Sequence, residues 1–422
     1  MPRLIFVNRY FHPDHSATSQ ILCDLAFHLA AAGREVHVVT SRQIYDDPDA
    51  ELRACETVNA VLVHRIASTR FGRNALPGRA VDYLSFYRSV RRCLSRIARR
   101  GDTIIAKTDP PLLSLVIAPT ARRRGARLIN WLQDIYPEAA TALGVPLIGG
   151  PVAASLAALR NRTLRDAEAT VAVGELMARR VAALGVAAGR IEVIANWCDD
   201  EEIKPVLQAD NPLRQSWGLA GKFVFGYSGN LGRAHDYSTV LAAAEQLRND
   251  TRIVFLVVGG GRRFEALAQD VKGRGLEASF RFRPYQDRAT LQHSLGVADA
   301  HWLSLNPLLE GLIVPSKFYG IAAAGRPIVS IGDTEGEIAR LVRQHRCGVA
   351  VASGDAGMLA ETLRLWSRAP HTVLEMGARA RQMLDGQFTR RHALAHWSRL
   401  LERLDREAAA NLPDSKATLT DP

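Results

Sequence analysis

Cysteine is scarce in this sequence, and the few cysteines do not occur in pairs. The chain of 422 residues has five: Cys23, Cys55, Cys93, Cys198 and Cys347, which lie far apart. No cysteine or histidine cluster has the spacing of a zinc site or of a redox-active pair. This argues against a disulfide-stabilised secreted domain and against a zinc-binding module. It predicts buried thiols in a reducing compartment.

Long apolar runs are also missing. No run reaches the roughly 18 residues that a membrane span requires, and the amino terminus passes into a strand-like segment without an apolar stretch of signal-peptide length. We therefore expect a cytoplasmic protein. The length fits about two or three domains of ordinary size. Hydrophobic residues, 47% of the total, are sufficient for their cores.

Short apolar segments that are typical of buried parallel strands recur along the chain in two series. An amphipathic helix at 19–32 follows the first of them and is stopped by Gly33. This alternation predicts an α/β protein with two Rossmann-like parallel-sheet domains facing across a cleft. Ligands would bind beyond the carboxyl ends of the strands. The segments are 4–7, 35–40, 103–106, 127–131, 169–173 and 191–194, then 223–227, 252–258, 280–282, 300–305 and 328–331.

Domain boundaries follow from the break between the two series. We predict a first domain over residues 1–198 and a second over 213–387, joined by an acidic, irregular linker at 199–212. Residues 388–407 predict a terminal helix with one apolar side, and 408–422 a flexible tail.

The segment from Glu310 to Pro327 is the strongest candidate for a binding element. It has an acid and a lysine on either side of a turn, then a helix of small residues that ends at Gly325. Pro315 and Ser316 stand at the helix start, where backbone N–H groups favour an anion, and Lys317 adds a cation. A diphosphate would fit this element. The alternative is that the small residues serve only close helix packing.

A second candidate is the turn that follows the strand at 223–227. Gly229 and Gly232 allow backbone N–H groups to approach an anion closely, Asn230 lies between them, and Arg233 can bind phosphate oxygens. A helix predicted to follow would favour negative charge at its start. The alternative is a strand-to-helix turn in which glycine only permits the bend.

Two further positions are candidates with weaker patterns. Gly259 and Gly260 follow another strand, without the third glycine of a dinucleotide fingerprint, and we interpret them as a loop facing a nucleotide. Asp134 follows a buried strand and would lie at the edge of the cleft. Its alternative role is a helix N-cap, with Pro137 in the first turn.

Four segments together resemble the family 4 retaining glycosyltransferases of the GT-B fold. The similarity covers about residues 4–404 and is strongest to bacterial O-antigen, capsule and exopolysaccharide enzymes of the N-acetyl-fucosamine transferase type. The resemblance implies an acceptor-binding first domain and a nucleotide-sugar-binding second domain. The segments are 133–138, 194–199, 227–235 and 310–327.

The resemblance also implies roles for individual residues. Arg233 and Lys317 would bind the diphosphate of a nucleotide-sugar donor, and Glu310 would hold the transferred sugar. Asp134 would orient the acceptor or shield the forming cation, and Tyr285 would lie beside the strand end that reads the base. Neither metal nor cofactor is implied. Where relatives carry a second glutamate for the ribose, this chain has Gly320.

The first loop departs from the family pattern, because residues 11–19 contain no glycine where relatives have a glycine-rich turn. Hydroxyl groups of Ser16, Thr18 or Ser19 are expected to cap the helix that follows. The aspartates at 46–49 resemble a metal-binding pattern, but we interpret them as a solvated loop.

The formal net charge of +11 comes mostly from arginine. Six arginines recur along one predicted helix with aromatic and aliphatic residues between them: Arg88, Arg91, Arg92, Arg96, Arg99 and Arg100. Such a face fits anionic lipid, and its alternative is a solvated surface. Nucleic acid is not expected, since no recognised module is present. The resemblance favours lipid: an undecaprenyl-diphosphate-linked saccharide acceptor and peripheral attachment to the inner face of the cytoplasmic membrane.

Retaining transfer from a nucleotide-sugar is thus the predicted activity. The sequence is also compatible with two other classes of function. One is a nucleotide-sugar epimerase or hydrolase, and the other is a non-catalytic or degenerate nucleotide-sugar-binding protein.

Overall fold

The computed structural model describes residues 2–44, 47, 50, 52–71, 76–145 and 149–410. Its strands form two sheets, one in each half of the chain. The prediction of two Rossmann-like parallel-sheet domains is confirmed. Asp46 and Asp49 of the acidic loop lie outside the described residues, as does most of the predicted tail.

The first sheet has eight strands in the order β3-β4-β2-β1-β5-β6-β7-β8. Its first strand is buried over its whole length, which is typical of a parallel strand covered by helices on both faces. The strands are β1 Leu4–Val7, β2 Val36–Ser41, β3 Cys55–Val58, β4 Val61–Ile66, β5 Thr103–Lys107, β6 Arg127–Trp131, β7 Ala169–Ala172 and β8 Ile191–Val193. The helices are α1 Ala17–Ala31, α2 Leu76–Ile97, α3 Leu113–Arg124, α4 Glu138–Ala142, α5 Gly150–Asp166 and α6 Glu175–Ala183.

The second sheet has six parallel strands in the order β11-β10-β9-β12-β13-β14. The strands are β9 Phe223–Asn230, β10 Ile253–Gly260, β11 Phe280–Arg283, β12 Ala300–Ser304, β13 Ile328–Gly332 and β14 Gly348–Ala352. The helices are α7 Pro212–Ser216, α8 Ser238–Gln246, α9 Phe264–Gly273, α10 Leu291–Gly296, α11 Lys317–Ala323, α12 Glu337–His345, α13 Ala356–Arg368, α14 Pro370–Gln387 and α15 Arg390–Ala410.

Strand order reverses in the second sheet between β9 and β12. These strands pair only near their amino ends, through Ala300 with Phe225 and His301 with Gly226. Beyond that point β9 continues to pair with β10 alone, as far as Asn230. The carboxyl ends of β9 and β12 therefore separate and leave a crevice, which is where α/β sheets bind ligands.

The two domains share a buried contact. One apolar cluster includes Ile135 and Met177 of the first domain together with Leu309 and Leu312 of the second. The backbone N–H of Ile135 donates to the carbonyl of Leu312 at 3.0 Å. This contact fixes the segment around Asp134 against the segment around Glu310.

The terminal helix α15 packs on the first domain. Trp397 is fully buried in the first-domain core, and its ring centroid lies 4.7 Å from that of Trp131. Arg390, at the start of the helix, pairs with Asp24 of the first domain at 3.8 Å and with Asp199 at 3.2 Å. The chain therefore returns across the inter-domain segment to the domain in which it began.

A hairpin that the pattern did not indicate forms the edge of the first sheet. Strands β3 and β4 are antiparallel and joined by Asn59 and Ala60, which have φ values of 46° and 63°. A two-residue turn of this kind usually carries glycine at its second position. Since alanine occupies that position here, the usual signal for a hairpin is absent.

Other local expectations need correction. Cys55 is exposed rather than buried. Ser16 stands at the N-cap of α1 but makes no capping bond with its hydroxyl, which donates instead to Asp14. Arg99 and Arg100 lie beyond the end of α2, so only four of the six arginines share its surface.

Candidate functional site

Lys317 lies in the crevice between β9 and β12. It is the first residue of α11, so the sequence element 310–327 brings its cation to the site. Nζ lies 3.2 Å from Nε2 of His235 and 5.3 Å from the ring centroid of Tyr227. A Cβ atom added to Gly229 would lie 2.7 Å from Cε of Lys317. The two predicted phosphate-binding elements therefore meet here, and the glycine leaves space for the lysine.

His235 holds the lysine through a defined tautomer. Its Nδ1 lies 2.6 Å from the carbonyl oxygen of Ser304, at the end of β12. Because a carbonyl oxygen only accepts, Nδ1 carries the hydrogen, and Nε2 is free to accept from the Lys317 ammonium. Burial lowers the pKa of His235 to about 4, and the neighbouring lysine adds to this effect. Burial also lowers the pKa of Lys317 to about 8.

The glycines of the two strand ends serve close backbone packing. Gly259 has a φ of 134°, and a Cβ there would lie 2.3 Å from the carbonyl oxygen of Gly229. Gly261 has a φ of 110°, with the side-chain oxygen of Asn230 2.0 Å from its added Cβ. The prediction that Gly259 and Gly260 form a loop is thus wrong, since both belong to β10 and pair in register with β9. That this strand end faces a nucleotide stays a prediction. This packing fixes the floor of the crevice.

The remaining predicted binding residues differ in their exposure. Gly232 has no atom within 4 Å of an added Cβ, and Arg233 is exposed. Tyr285 is 60% exposed, with its ring edge 3.0 Å from the Cβ position of Gly260. Ser316 is the N-cap of α11, without a capping bond from its hydroxyl, and Pro315 before it is buried.

The backbones of Asp134 and Glu310, in different domains, both pair with Ile313. The backbone of Asp134 forms an antiparallel bridge with Ile313, and that of Glu310 forms a parallel bridge with the same residue. Burial raises the pKa of both carboxyl groups to about 7. The negative charge of Asp109 raises the pKa of Asp134 further. At Glu310, the hydrogen bond from the backbone N–H of Glu337 lowers the pKa and partly offsets the effect of burial.

Asp134 does not cap a helix. The N-cap of α4 is Pro137, three residues further on, which rules out the alternative role from the sequence. Within the described part of the chain no residue donates a hydrogen bond to the Asp134 carboxylate. The side chain adjoins a small cavity of about 20 Å³ that Lys107 and Asn130 also line. A carboxyl group with unused acceptors therefore stands at the inter-domain contact.

The site thus has two parts that the sequence indicated and one that it did not. Lys317 and Gly229 come together in the crevice, and Asp134 and Glu310 come together at Ile313. His235 ends the segment 227–235 that carries the family resemblance, but the sequence predicts no role for it. Its contact with Lys317 joins residues 82 positions apart, so no local spacing signals it.

Two family models match the chain, one in each domain. Residues 17–197 match the glycosyl transferase 4-like domain. Residues 210–383 match the glycosyl transferases group 1. The boundary between the matches falls in the segment that leads from the first sheet to the second.

Two named relatives are similar over more than half of the chain. WbjE of Pseudomonas aeruginosa, named as a probable glycosyltransferase, is 27% identical over 289 residues, which are 68% of this chain and 70% of WbjE. WcaI of Escherichia coli (strain K12), named as a putative colanic acid biosynthesis glycosyl transferase, is 30% identical over 238 residues, which are 55% of this chain and 57% of WcaI.

Solved structures share the fold at low sequence identity. Sucrose-phosphate synthase from Thermosynechococcus elongatus superposes with a TM-score of 0.75 at 16% identity, covering 96% of this chain and 100% of that one. Anabaena HepE in complex with UDP superposes with a TM-score of 0.69 at 15% identity, covering 95% and 100%. With a glycosyltransferase match in each domain and this shared architecture, the chain belongs to the glycosyltransferases of the GT-B fold.

Proposed function

We propose that this protein transfers a sugar, with retention of anomeric configuration, from a nucleotide-diphosphate-sugar to a lipid-linked saccharide in bacterial surface polysaccharide synthesis. The observation that carries the proposal is the Lys317 ammonium held in the crevice against Gly229 by neutral His235. A partly desolvated cation beside a glycine turn suits a diphosphate. The name of WcaI, which refers to colanic acid biosynthesis, supports the polysaccharide context.

The donor diphosphate would lie over the ends of β9 and β10. Lys317 would bind its oxygens from below and exposed Arg233 from the rim, while the ring of Tyr285 would lie near the base. The solved complexes of HepE with UDP and with UDP-glucose make uracil the first base to test. The resemblance of segment 133–138 favours a sugar of the N-acetyl-fucosamine type.

Charge development explains why these residues would accelerate transfer. As the glycosidic bond breaks, negative charge grows on the diphosphate and positive charge on the anomeric carbon. Fixed cations at Arg233 and Lys317 would stabilise the leaving group without a metal ion or cofactor. Glu310 would hold sugar hydroxyls, Asp134 would orient the acceptor, and the departing phosphate oxygen would take the acceptor proton on the same face.

The acceptor would be carried on undecaprenyl diphosphate at the inner face of the cytoplasmic membrane. Arg88, Arg91, Arg92 and Arg96 are exposed on α2, and they line a groove of about 640 Å³ with Tyr87. Clustered arginines beside an aromatic ring suit anionic head groups. In the described ranges no helix is long and apolar enough to cross a bilayer, so attachment would be peripheral.

Flotation with liposomes tests the membrane part. We expect binding to vesicles with 30% anionic lipid, weak binding to neutral vesicles, and loss of binding when the four α2 arginines are replaced by serine. Flotation that is independent of anionic lipid would contradict this part and leave the donor proposal intact.

Thermal stabilisation by nucleoside diphosphates tests the donor site. UDP, GDP, dTDP and their sugars are compared on wild type, Lys317→Ala and the control Lys272→Ala, whose side chain is exposed on α9. We expect a selective shift that only Lys317→Ala removes. NMR of the product made with the selected donor would then show the anomeric configuration.

The same panel separates the alternatives. A nucleotide-sugar that binds without transfer to any acceptor would favour a non-catalytic protein. Conversion of the donor without an acceptor would favour an epimerase or hydrolase. Absence of any shift would remove the donor proposal.

A further inference from the structure

Glu337 reaches from the second domain to a helix of the first. Its two carboxylate oxygens accept hydrogen bonds from the backbone N–H groups of Glu175 at 3.0 Å and Leu176 at 2.7 Å. These are the first two residues of α6, whose N-cap, Gly174, has no side chain to satisfy them. The capping carboxylate of α6 is therefore supplied by the other domain.

Gly174 leaves the space for this contact. A Cβ atom added there would lie 2.9 Å from Cδ of Glu337 and 3.0 Å from a methyl carbon of Val314. The φ of Gly174 is −168°, which any residue adopts. Space rather than backbone conformation thus favours glycine at this position.

The backbone of Glu337 holds the predicted sugar-binding acid. Its N–H donates to Oε2 of Glu310 at 3.2 Å, so Glu310 lies at the start of α12. A Cβ added to the preceding Gly336 would lie 2.3 Å from Oε1 of Glu310. The Glu310 carboxylate therefore accepts from the first turn of α12, and the Glu337 carboxylate, on that turn, accepts from the first turn of α6.

Helix α6 contacts the turn after Glu310 as well. Gly311 has a φ of 70°, and a Cβ there would lie 2.7 Å from Nε of Arg180 and 3.2 Å from the carbonyl oxygen of Leu176. The turn after Glu310 is thus adjacent to the first domain. Separation of the domains would remove the partners of Glu337 and the support of Gly311 together.

We propose that Glu337 is a positioning residue that makes the sugar-holding orientation of Glu310 depend on domain closure. The proposal rests on the proposed function, in which Glu310 holds the transferred sugar. With the domains apart, the nucleotide would still bind in the crevice of the second domain. Glu310 would be fixed for the sugar only after α6 meets Glu337, so the transfer step would begin in the closed form.

Glu337→Gln tests the contact, since the amide keeps the size of the side chain but has one acceptor oxygen instead of two, and its NH₂ group would face the other backbone N–H. We expect the Kd for the nucleoside diphosphate to change less than about twofold. The additional affinity given by the sugar, and kcat with the donor at saturation, should fall roughly 10- to 100-fold, the range for a hydrogen bond to a charged group. Glu337→Asp should restore part of kcat.

Gly174→Ala provides an independent variant on the other domain. Its methyl group should displace the Glu337 carboxylate and reproduce the kinetic change while every residue of the second domain is kept. The matched control is Asp355→Asn, because Asp355 caps α13 within the second domain and should not affect transfer.

Small-angle X-ray scattering supplies a readout that does not depend on turnover. Glu337→Gln and Gly174→Ala should each show a larger radius of gyration than the wild type and Asp355→Asn. Unchanged kinetics and scattering in both variants would overturn the inference. If the wild type binds no nucleotide, the proposed function fails instead, and the scattering difference alone still decides whether Glu337 holds the domains together.

Discussion

Nζ of Lys317 and Nε2 of His235 lie 3.2 Å apart, with the other ring nitrogen of His235 committed to the carbonyl of Ser304. The histidine is therefore a fixed acceptor for the ammonium rather than a second cation. Since burial keeps the pKa of His235 near 4, this relationship holds across the physiological pH range.

Nucleotide affinity should decrease above about pH 8. Burial lowers the pKa of Lys317 to about 8, so the ammonium that binds the diphosphate loses its proton as the pH rises through that value. Isothermal titration from pH 6 to 9.5 would show the decrease. In His235→Ala the decrease in affinity should begin at lower pH, because the charged form of Lys317 loses its hydrogen-bond acceptor. An unchanged Kd at pH 9.5 would contradict the assignment.

Replacing Lys317 should slow transfer. Lys317→Ala removes a cation that faces the developing diphosphate charge, and we expect a barrier higher by ~3 kcal/mol, or roughly a hundredfold lower kcat/KM. Steady-state kinetics with the selected donor measures this. The exposed Lys272→Ala is the control and should retain wild-type kinetics; equal losses in both variants would indicate a general defect.

Two glycines of the candidate site should respond differently to the same change. Gly259→Ala places a methyl group against the carbonyl of Gly229 at a positive φ, and we expect a loss of about 2 kcal/mol or more in the free energy of unfolding. Gly232→Ala meets no atom within 4 Å and should keep the stability of the wild type. Denaturant titration with and without nucleotide separates the two effects. A destabilised Gly232→Ala protein would contradict the described loop.

Asp134→Asn should reduce transfer and stabilise the fold at alkaline pH. Burial raises the pKa of Asp134 to about 7 from an ordinary value near 3.8, so the folded state is penalised for its charge as pH rises between these values. The free energy of unfolding of the variant should exceed that of the wild type by on the order of 1–2 kcal/mol at pH 8 and should equal it near pH 3.5. The gain is kept this small because the Asp134 side chain is only partly buried.

Unfolding curves at several pH values measure the stability change, and a transfer assay at pH 7 measures the loss of activity. Asp355→Asn, on the exposed start of α13, is a control in which no alkaline gain is expected. A stability gain without loss of transfer would exclude Asp134 from the reaction.

Much of the fold was predictable because its strands are buried on both faces. Segments such as 4–7 and 253–258 are continuous apolar runs, and helices between such strands require a parallel sheet. The position of Lys317 at the start of α11 could be predicted as well, since a helix start is encoded within a few residues.

The sequence by itself determined the two-domain architecture, the family and the lysine at the start of α11, since each depends on short-range periodicity or motif. Only the tertiary structure decided which distant groups meet. The contact of His235 with Lys317, the meeting of Asp134 and Glu310 at Ile313, and the reach of Glu337 to α6 each join segments far apart in the chain. Such contacts follow from strand order and domain packing, and no local propensity encodes them.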